Sequence, residues 1–317
     1  MNDVELPALS GTNPLGFLAA LGVLDAVYSV RPEASLRWTD ELVPHALIGD
    51  AGDLDLILDV LDRDRESWMA STVLGFPSDV PLKDAKPDDA RLRGWFKAAA
   101  DTRGPQQDAD LLCAIVAEGA FDGNRNAKPT HLHFTAGQQQ FLEMARTLAS
   151  TADRERLHEA ICGPWAYDSP LPSFSWDARG ERVYAVRATN PSKEKRLGVP
   201  GADWLAFRGL LFYPVTRTVN GSLRTTACDS AWKRSAFRWP LWSVPGRRDV
   251  VRSLVADRTL IADGARLRAE VLDARGVFSV LRAPIRRTDQ GGYGSFGSPE
   301  VLASAVVTDL ATAKVEP

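Results

Sequence analysis

The 317-residue sequence predicts an α+β fold, in which helices and strands occupy separate stretches of the chain. Helical spacing of apolar residues dominates up to about residue 150, beginning with the long apolar stretch 9–27. Beyond Gly163 the pattern changes to short runs rich in β-branched and aromatic residues, separated by Pro, Gly and Asn. Because the two kinds of element are segregated rather than alternated, α+β is favoured over a parallel α/β sheet.

The first predicted helix begins at Pro14 and is apolar on nearly every face. Thr12 or Asn13 can cap it, and Pro14 fits its first turn, where no amide hydrogen bond is lost. Its small residues, Gly16 and Gly22 among them, would let another backbone approach closely, which must offset the ~1 kcal/mol that each glycine costs inside a helix. A helix that is apolar all round belongs in a core, so we expect a buried central helix. The alternative is a site at the capped N-terminus, around Thr12 and Asn13.

The remainder of the region 1–160 is predicted to be mainly helical and acidic. Its second helix is amphipathic, with Leu54, Ile57, Leu58 and Leu61 on one face. The predicted elements are a strand at 35–39, helices at 53–64, 90–100, 108–118 and 136–150, and a Pro- and Asp-rich loop at about 75–89.

The region 161–317 is predicted to mix strands with short helices. Asn220-Gly221 between two apolar runs is the clearest hairpin signal. The predicted elements are two strands within 174–187, a helix at 201–211, the hairpin 211–227, a helix from 243 or 245 to 256, a strand at 277–285 and a last helix that Ser298 caps and Pro299 begins. The two regions could equally form one continuous domain.

Charge is divided unevenly along the chain, although the net charge is only −3. Residues 1–150 hold 13 Lys and Arg against 23 Asp and Glu, whereas 151–317 hold 25 against 18. Between Arg179 and Arg248 there are 14 basic and 4 acidic residues, interleaved with aromatic ones. Lys and Arg neutralise phosphates and aromatic faces stack on unpaired bases, so this segment predicts contact with nucleic acid.

The candidate nucleic-acid-binding residues come from this segment and from two arginines ahead of a glycine-rich loop. The densest mixture of charged and aromatic side chains is Trp232–Trp239. The alternative interpretation is that the tryptophans are core residues and that the charges form a solvated face or pair with the acidic half. The candidates are Lys193, Lys195, Arg196, Arg224, Trp232, Lys233, Arg234, Arg238, Arg247, Arg248, Arg286 and Arg287.

Signals for catalysis, metals and cofactors are weak by comparison. His131 and His133 would share one face of a strand, but no matching carboxylate spacing accompanies them. The stretch 292–297 matches G-x-G-x-x-G, yet the residues left after it cannot form a βαβ unit, so a dinucleotide site is not expected. His158 and Cys162 stand four apart on a predicted helix and are best interpreted as ordinary helix residues. We therefore expect no metal, no cofactor and no catalytic residue.

The composition also predicts where the protein works. Its three cysteines are widely spaced and odd in number, which suits a reducing cytosol. The first residues are acidic, unlike a secretory signal or a transit peptide, and the apolar stretch 9–27 is too short to cross a membrane, which needs about 20 apolar residues. We expect a cytoplasmic protein that does not contact membranes.

Four stretches give the sequence a resemblance to a known family. Residues 9–22 read Leu-Ser-Gly-Thr-Asn-Pro-Leu-Gly-Phe-Leu-Ala-Ala-Leu-Gly, which resembles the start of CRISPR-associated proteins of type I-G (formerly I-U) systems. The family is the one described as an extension of the helicase-nuclease, and the type I-G large-subunit family is more loosely similar. The stretches His133–Gln139, Gly201–Phe207 and Phe237–Trp242 match the same family, so the resemblance runs from residue 6 to about 245.

This resemblance implies a non-enzymatic accessory or effector subunit of a prokaryotic antiviral CRISPR-Cas system, which binds guide RNA, target DNA or other type I-G Cas proteins. Two alternatives stay open. A metal-dependent nuclease or nucleotide-acting enzyme would show a pocket that combines His131 and His133 with acidic residues. A pure protein-interaction module would show its basic side chains paired with the acidic half.

Overall fold

The structure is a computed structural model that describes residues 3–75, 86–101, 107–135, 140–180, 197–229, 231–261, 267–288 and 293–305. It has the mixed α+β fold that the sequence predicts. The strands are β1 (Asp3–Ser10), β2 (Ser35–Trp38), β3 (His45–Gly49), β4 (Val116–Phe121), β5 (Ala127–Pro129), β6 (Val215–Arg217), β7 (Leu223–Thr225), β8 (Ala236–Trp242), β9 (Gly246–Arg247), β10 (Val277–Arg287), β11 (Gly294–Phe296) and β12 (Glu300–Ser304).

The helices alternate with these strands in small groups. They are α1 (Pro14–Tyr28), α2 (Leu54–Trp68), α3 (Thr72–Gly75), α4 (Asp89–Asp101), α5 (Gln107–Ile115), α6 (Phe141–Thr151), α7 (Arg154–Cys162), α8 (Pro200–Gly209), α9 (Arg248–Ala256) and α10 (Ala269–Asp273). Short 3-10 turns lie at Ala178–Gly180, Leu210–Phe212 and Trp232–Arg234. Within the described ranges, no helix is both long and apolar enough to cross a membrane.

Two antiparallel sheets organise the strands. The first has the order β1-β3-β2-β9, so it joins three strands of the N-terminal region to one from the C-terminal region. In the second, β10 pairs with β8, β11 and β12. The pairs β4–β5 and β6–β7 form separate two-stranded ribbons.

Helix α1 is the central helix, as its sequence predicts. Every residue from Pro14 to Val27 is buried. The Asn13 side chain caps the helix by accepting a hydrogen bond from Leu15 N at 3.2 Å. The glycines serve contact with α8: a Cβ on Gly22 would lie 1.9 Å from Leu205 O, and one on Gly209 would lie 2.0 Å from Leu18 O. The two backbones therefore touch directly across the core.

Aromatic side chains from the regions 1–160 and 161–317 pack together in the same core. Phe17 on α1 lies 5.5 Å from Trp38 on β2 and 5.9 Å from Trp239 on β8, measured between ring centroids. Trp38 meets Trp242 edge-on at 6.2 Å. One hydrophobic core thus includes elements from both sequence regions.

Some predicted elements are wrong. The chain after Pro299 is strand β12, not a helix, because Ser304 to Glu300 pair with Ser279 to Arg282 of β10 and satisfy that strand's backbone. The predicted helix 108–118 ends at Ile115, where β4 begins. Of the two strands predicted within 174–187, no strand forms over 174–177 and Ala178–Gly180 is a 3-10 turn, whereas 181–196 lie outside the described residues.

Candidate nucleic-acid interface

Five of the candidate residues lie at one end of β10. We call Trp232, Lys233, Arg234, Arg286 and Arg287 the Trp232 corner. The 3-10 turn Trp232–Arg234 runs along β10 just beyond the end of β8, where Ile285 N donates a 2.8 Å hydrogen bond to Ser235 O. Lys233, Arg234 and Arg286 are exposed, whereas Trp232 and Arg287 are partly buried.

Arg287 is held firmly in this corner. Its Nη1 donates to His133 O at 3.0 Å and its Nη2 donates to His131 O at 2.7 Å. Between these bonds, the guanidinium carbon lies 3.7 Å above the centroid of the Trp232 ring. The ring of His131 also packs against Trp232, at 5.4 Å between centroids with the two rings tilted by 54°. Cation–π stacking and two backbone acceptors thus fix Arg287 and Trp232 against each other.

Arg287 carries a charge that no carboxylate of the described residues neutralises. Within the residues that the structure describes, no Asp or Glu lies within ion-pair distance of its guanidinium, and its buried Nε has no hydrogen-bond acceptor. Burial lowers the pKa of Arg287 to about 10, so the side chain stays protonated near neutral pH. An unpaired and partly desolvated cation favours an anion beside it.

The two histidines below this corner are structural. Both are buried. The Nδ1 of His131 and the Oγ1 of Thr225 lie 2.9 Å apart, and the Nε2 of His133 lies 3.1 Å from Thr135 Oγ1. They occupy a turn and loop rather than the predicted strand. No group of three or more His, Cys, Asp or Glu side chains that could hold a metal ion occurs in the parts of the chain the structure describes.

The remaining candidates lie elsewhere. Arg224 lies on β7 next to Thr225, and its side chain is on the opposite face of that strand. Arg238 is buried and pairs with Asp229. Arg247 and Arg248 follow the Trp242 end of β8, about 20 Å from its Ala236 end by the rise of an extended strand. Lys193, Lys195 and Arg196 lie outside the described residues.

Most aromatic residues of the basic segment are core residues, as the alternative interpretation had it. Trp232 is the exception, since it is partly exposed. The other aromatic residues of this segment that the structure describes are at most 1% exposed, and they are Trp204, Phe207, Phe212, Tyr213, Phe237, Trp239 and Trp242. The mixture of charged and aromatic residues in this segment therefore arises mainly from strands and helices whose aromatic side chains are buried in the core.

Several arginines of the basic segment form ion pairs with aspartates inside the molecule. Arg208, which is fully buried on α8, donates to Asp25 and to Asp64 at 2.9 Å and stacks on Trp68 at 4.3 Å. Arg248 pairs with the other oxygen of Asp25 at 2.6 Å. Sequence reasoning did not single out Arg208; its only signal is an arginine inside the apolar stretch 200–212.

A second concave site lies at the N-terminus of α1. The cleft measures about 720 Å³, and Thr12, Asn13, Trp165 and Arg179 are among its lining residues. Asp177 accepts hydrogen bonds from Asn13 Nδ2 at 3.0 Å and from the Tyr167 hydroxyl at 2.7 Å. Burial, followed by the charge of Asp177, raises the pKa of that hydroxyl. These groups satisfy one another and join α1 to the 3-10 turn at 178–180.

No protein-family model matches the chain, and no curated protein matches its sequence. Function must therefore be argued from the sites themselves. The cleft at α1 presents groups that already bond to one another, and the Arg208 network is closed by carboxylates. The Trp232 corner differs, because it combines an unneutralised cation, a partly exposed indole and three exposed basic side chains.

Proposed function

We propose that the protein binds nucleic acid through the Trp232 corner. The observation that carries this proposal is the Arg287 guanidinium, which stacks on Trp232 at 3.7 Å and has no carboxylate partner among the described residues. A phosphate would supply the missing negative charge through charge-assisted hydrogen bonds. Lys233, Arg234 and Arg286 would contact neighbouring phosphates.

The contrast with other arginines supports this assignment. Arg208, Arg238 and Arg248 each have an aspartate partner, so their charges hold the fold together. Among the described residues, the hydrogen-bond acceptors of Arg287 are backbone carbonyls, which orient the side chain and leave its net charge in place. A cation that is oriented but unneutralised suits an anionic ligand better than a structural role.

Together with the resemblance of residues 9–22 and the later stretches, this site supports a more specific proposal. The protein would be a cytoplasmic, non-enzymatic accessory or effector subunit of a type I-G CRISPR-Cas system. Its ligand would be guide RNA or target DNA. Its acidic N-terminal region would face solvent or other type I-G Cas proteins.

The test is a comparison of two matched charge reversals. Arg234→Glu with Arg286→Glu alters the Trp232 corner, whereas Arg247→Glu with Arg258→Glu alters two exposed arginines on β9 and after α9. Fluorescence anisotropy with a labelled nucleic acid over a salt series gives Kd and its salt dependence. We expect the corner variant to bind more weakly, with a slope of log K against log salt that is flatter by roughly 0.7–0.9 per lost phosphate contact.

The control pair should leave both quantities near the wild-type values. If the two double variants have equal affinity and equal salt dependence, the Trp232 corner is not the binding site. A second candidate function, a pure protein-interaction module, is favoured by the arginines that pair with acidic residues of the N-terminal region. Absence of any nucleic-acid binding by the wild type, with retained binding to a type I-G Cas protein, would establish that function instead.

A further inference from the structure

We propose that the Trp232 corner takes single-stranded nucleic acid, with one unpaired base stacked against Trp232 and the neighbouring phosphates held by the basic side chains around it. The inference rests on the proposed function and names the class of its ligand. Three features of the corner carry it: the exposure of one tryptophan, the fixed orientation of its ring and the position of the cations beside it.

Trp232 is set apart by its exposure. Seven of the nine tryptophans are at most 2% exposed, and only Trp165 and Trp232 are partly exposed. Trp165 donates its Nε1 hydrogen to Ala160 O at 3.0 Å and lines the cleft at α1. Trp232 is therefore the tryptophan that solvent reaches beside a cluster of basic residues. An indole in that setting offers a stacking surface to a base.

The orientation of the Trp232 ring is fixed before any ligand arrives. Arg287 lies over the ring and is itself anchored by the carbonyls of His131 and His133. His131 is in turn held by Thr225, through both its ring and its backbone N–H at 2.9 Å. A pre-oriented ring loses little conformational freedom when a base stacks on it, so more of the stacking energy appears as affinity.

The arrangement discriminates between single strands and duplexes. In a duplex the bases are stacked on one another and only phosphates and groove edges face outward, so the corner could use its cations alone. A single strand presents a phosphate and an unpaired base together, which matches a guanidinium stacked on one face of Trp232 and a base stacked on the other. Lys233 and Arg234 follow Trp232 directly in the chain, where the flanking phosphates of a strand would pass.

The experiment separates stacking from charge by choice of probe. Fluorescein-labelled probes would be a DNA strand of mixed sequence, the RNA strand of the same sequence, the DNA duplex, and a strand of abasic residues that keeps every phosphate and lacks every base. The protein would be the full chain as wild type, Trp232→Ala and Trp232→Phe. Thermal unfolding of each variant shows that the fold is retained, and Trp232→Phe keeps an aromatic ring should the alanine variant be unstable.

We expect the wild type to bind single strands about tenfold or more tightly than the abasic strand, which is the worth of one stacked base. Trp232→Ala should abolish that difference and Trp232→Phe should retain most of it. If the RNA strand binds more tightly than the DNA strand, the ligand is RNA, and if the DNA strand binds more tightly, the ligand is DNA. Either result agrees with the inference. Equal affinity for the single strands, the abasic strand and the duplex would overturn the inference of base stacking but would leave the proposed function intact. If none of the probes binds, the proposed function itself fails. Labelled polyglutamate serves as a fifth probe, and if it binds more tightly than any strand, the ligand is an acidic protein segment.

Discussion

At the scale of single residues, Asp203 shows how strongly burial changes the chemistry of this chain. Its side chain is fully buried in the first turn of α8, where Oδ1 accepts hydrogen bonds from Phe174 N at 3.0 Å and from Ser173 Oγ at 3.3 Å. Its Oδ2 has no hydrogen-bond partner in the structure that is described. Burial raises the pKa of Asp203 from 3.8 to about 7, with a small further rise from the charge of Asp177.

The raised pKa makes stability depend on pH. The folded state binds the Asp203 proton more tightly than the unfolded state, so this carboxyl stabilises the fold fully below about pH 4 and loses that contribution as the pH rises through about 7. We expect the wild type to unfold at a lower urea concentration at about pH 8 than at about pH 5. Asp203→Asn keeps an oxygen acceptor for Phe174 N and cannot ionise, so it should reduce this difference. An unchanged pH dependence in Asp203→Asn would assign the titration to another group.

At the same scale, the charged residues show what sequence reasoning could not reach. Arg208, Arg248 and Arg287 are equally basic in the sequence, yet two pair with Asp25 and one has no carboxylate partner among the described residues. Asp25 is 183 residues from Arg208 and 223 from Arg248 in the chain. A pairing over such separations depends on the packing of α1 against α8 and α9, which local patterns do not specify. The stretch around Trp232 could be singled out, because charge and aromatic residues are densest there.

At the scale of elements, the contact between α1 and α8 depends on glycine at both sides. A Cβ on Gly22 would overlap Leu205 O at 1.9 Å, and both groups are backbone or bonded directly to it, so neither can move alone. Gly94 on α4 offers a matched control, because a Cβ there meets nothing within 4 Å. The same substitution should thus have opposite effects on the two helices.

We expect Gly22→Ala to destabilise the fold by about 1–3 kcal/mol, since the separation of α1 from α8 outweighs the better helix propensity of alanine. Gly94→Ala should stabilise it by roughly 0.5–1 kcal/mol, because only propensity and unfolded-state entropy change. Thermal midpoints of the two variants against the wild type measure both shifts. Stabilisation by Gly22→Ala would mean that the two backbones are not in direct contact.

The elements also show where local patterns succeed and where they fail. Helix α1 could be predicted because its cap, its proline and its apolar run all lie within one stretch. The hairpin at Asn220-Gly221 was confirmed for the same reason, but its strands β6 and β7 are shorter than the predicted 211–227, because Leu210–Phe212 form a 3-10 turn. Strand β12 was predicted as a helix. Its sequence is compatible with either structure, and its pairing with β10 determines that it forms a strand. Strand β1 was missed, because its partner β3 lies on the far side of α1 in the chain.

At the scale of the whole molecule, the two sequence regions are joined by charge as well as by core packing. The first 150 residues carry the acidic excess and the remainder the basic excess. Asp25 and Asp110 from the first region meet Arg208, Arg248 and Arg252 from the second. Removal of Arg208 would take its ion pair from Asp64, whose side chain is only 8% exposed, and this is costlier than the loss of a surface ion pair. Part of the charge asymmetry therefore supports the fold, whereas Arg287 in the Trp232 corner has no carboxylate partner among the described residues.

The whole molecule also sets the expectation for catalysis. A hydrolytic site needs a nucleophile or a metal-bound water, a proton acceptor and stabilisation of developing charge, all within reach of one another. His131 and His133 are buried beneath the Trp232 corner and bonded to threonines, so they are placed to support Arg287 rather than to act on a ligand. Next to the cleft at α1, the carboxylate of Asp177 accepts hydrogen bonds from Asn13, which lines the cleft, and from Tyr167.

We therefore expect the purified protein to leave RNA, single-stranded DNA and duplex DNA intact in the presence of Mg²⁺ or Mn²⁺, at protein concentrations that saturate binding. Gel electrophoresis of end-labelled strands after prolonged incubation is the measurement, and Trp232→Ala, which should bind less, is the control for contaminating nuclease. Aspartates from distant positions can meet around magnesium without a sequence motif, so Asp177→Asn is the variant that probes the cleft. Metal-dependent cleavage by the wild type that disappears in Asp177→Asn while binding is retained would make the protein a nuclease. Its catalytic site would then include Asp177 beside the cleft at α1, with the Trp232 corner serving to hold the strand.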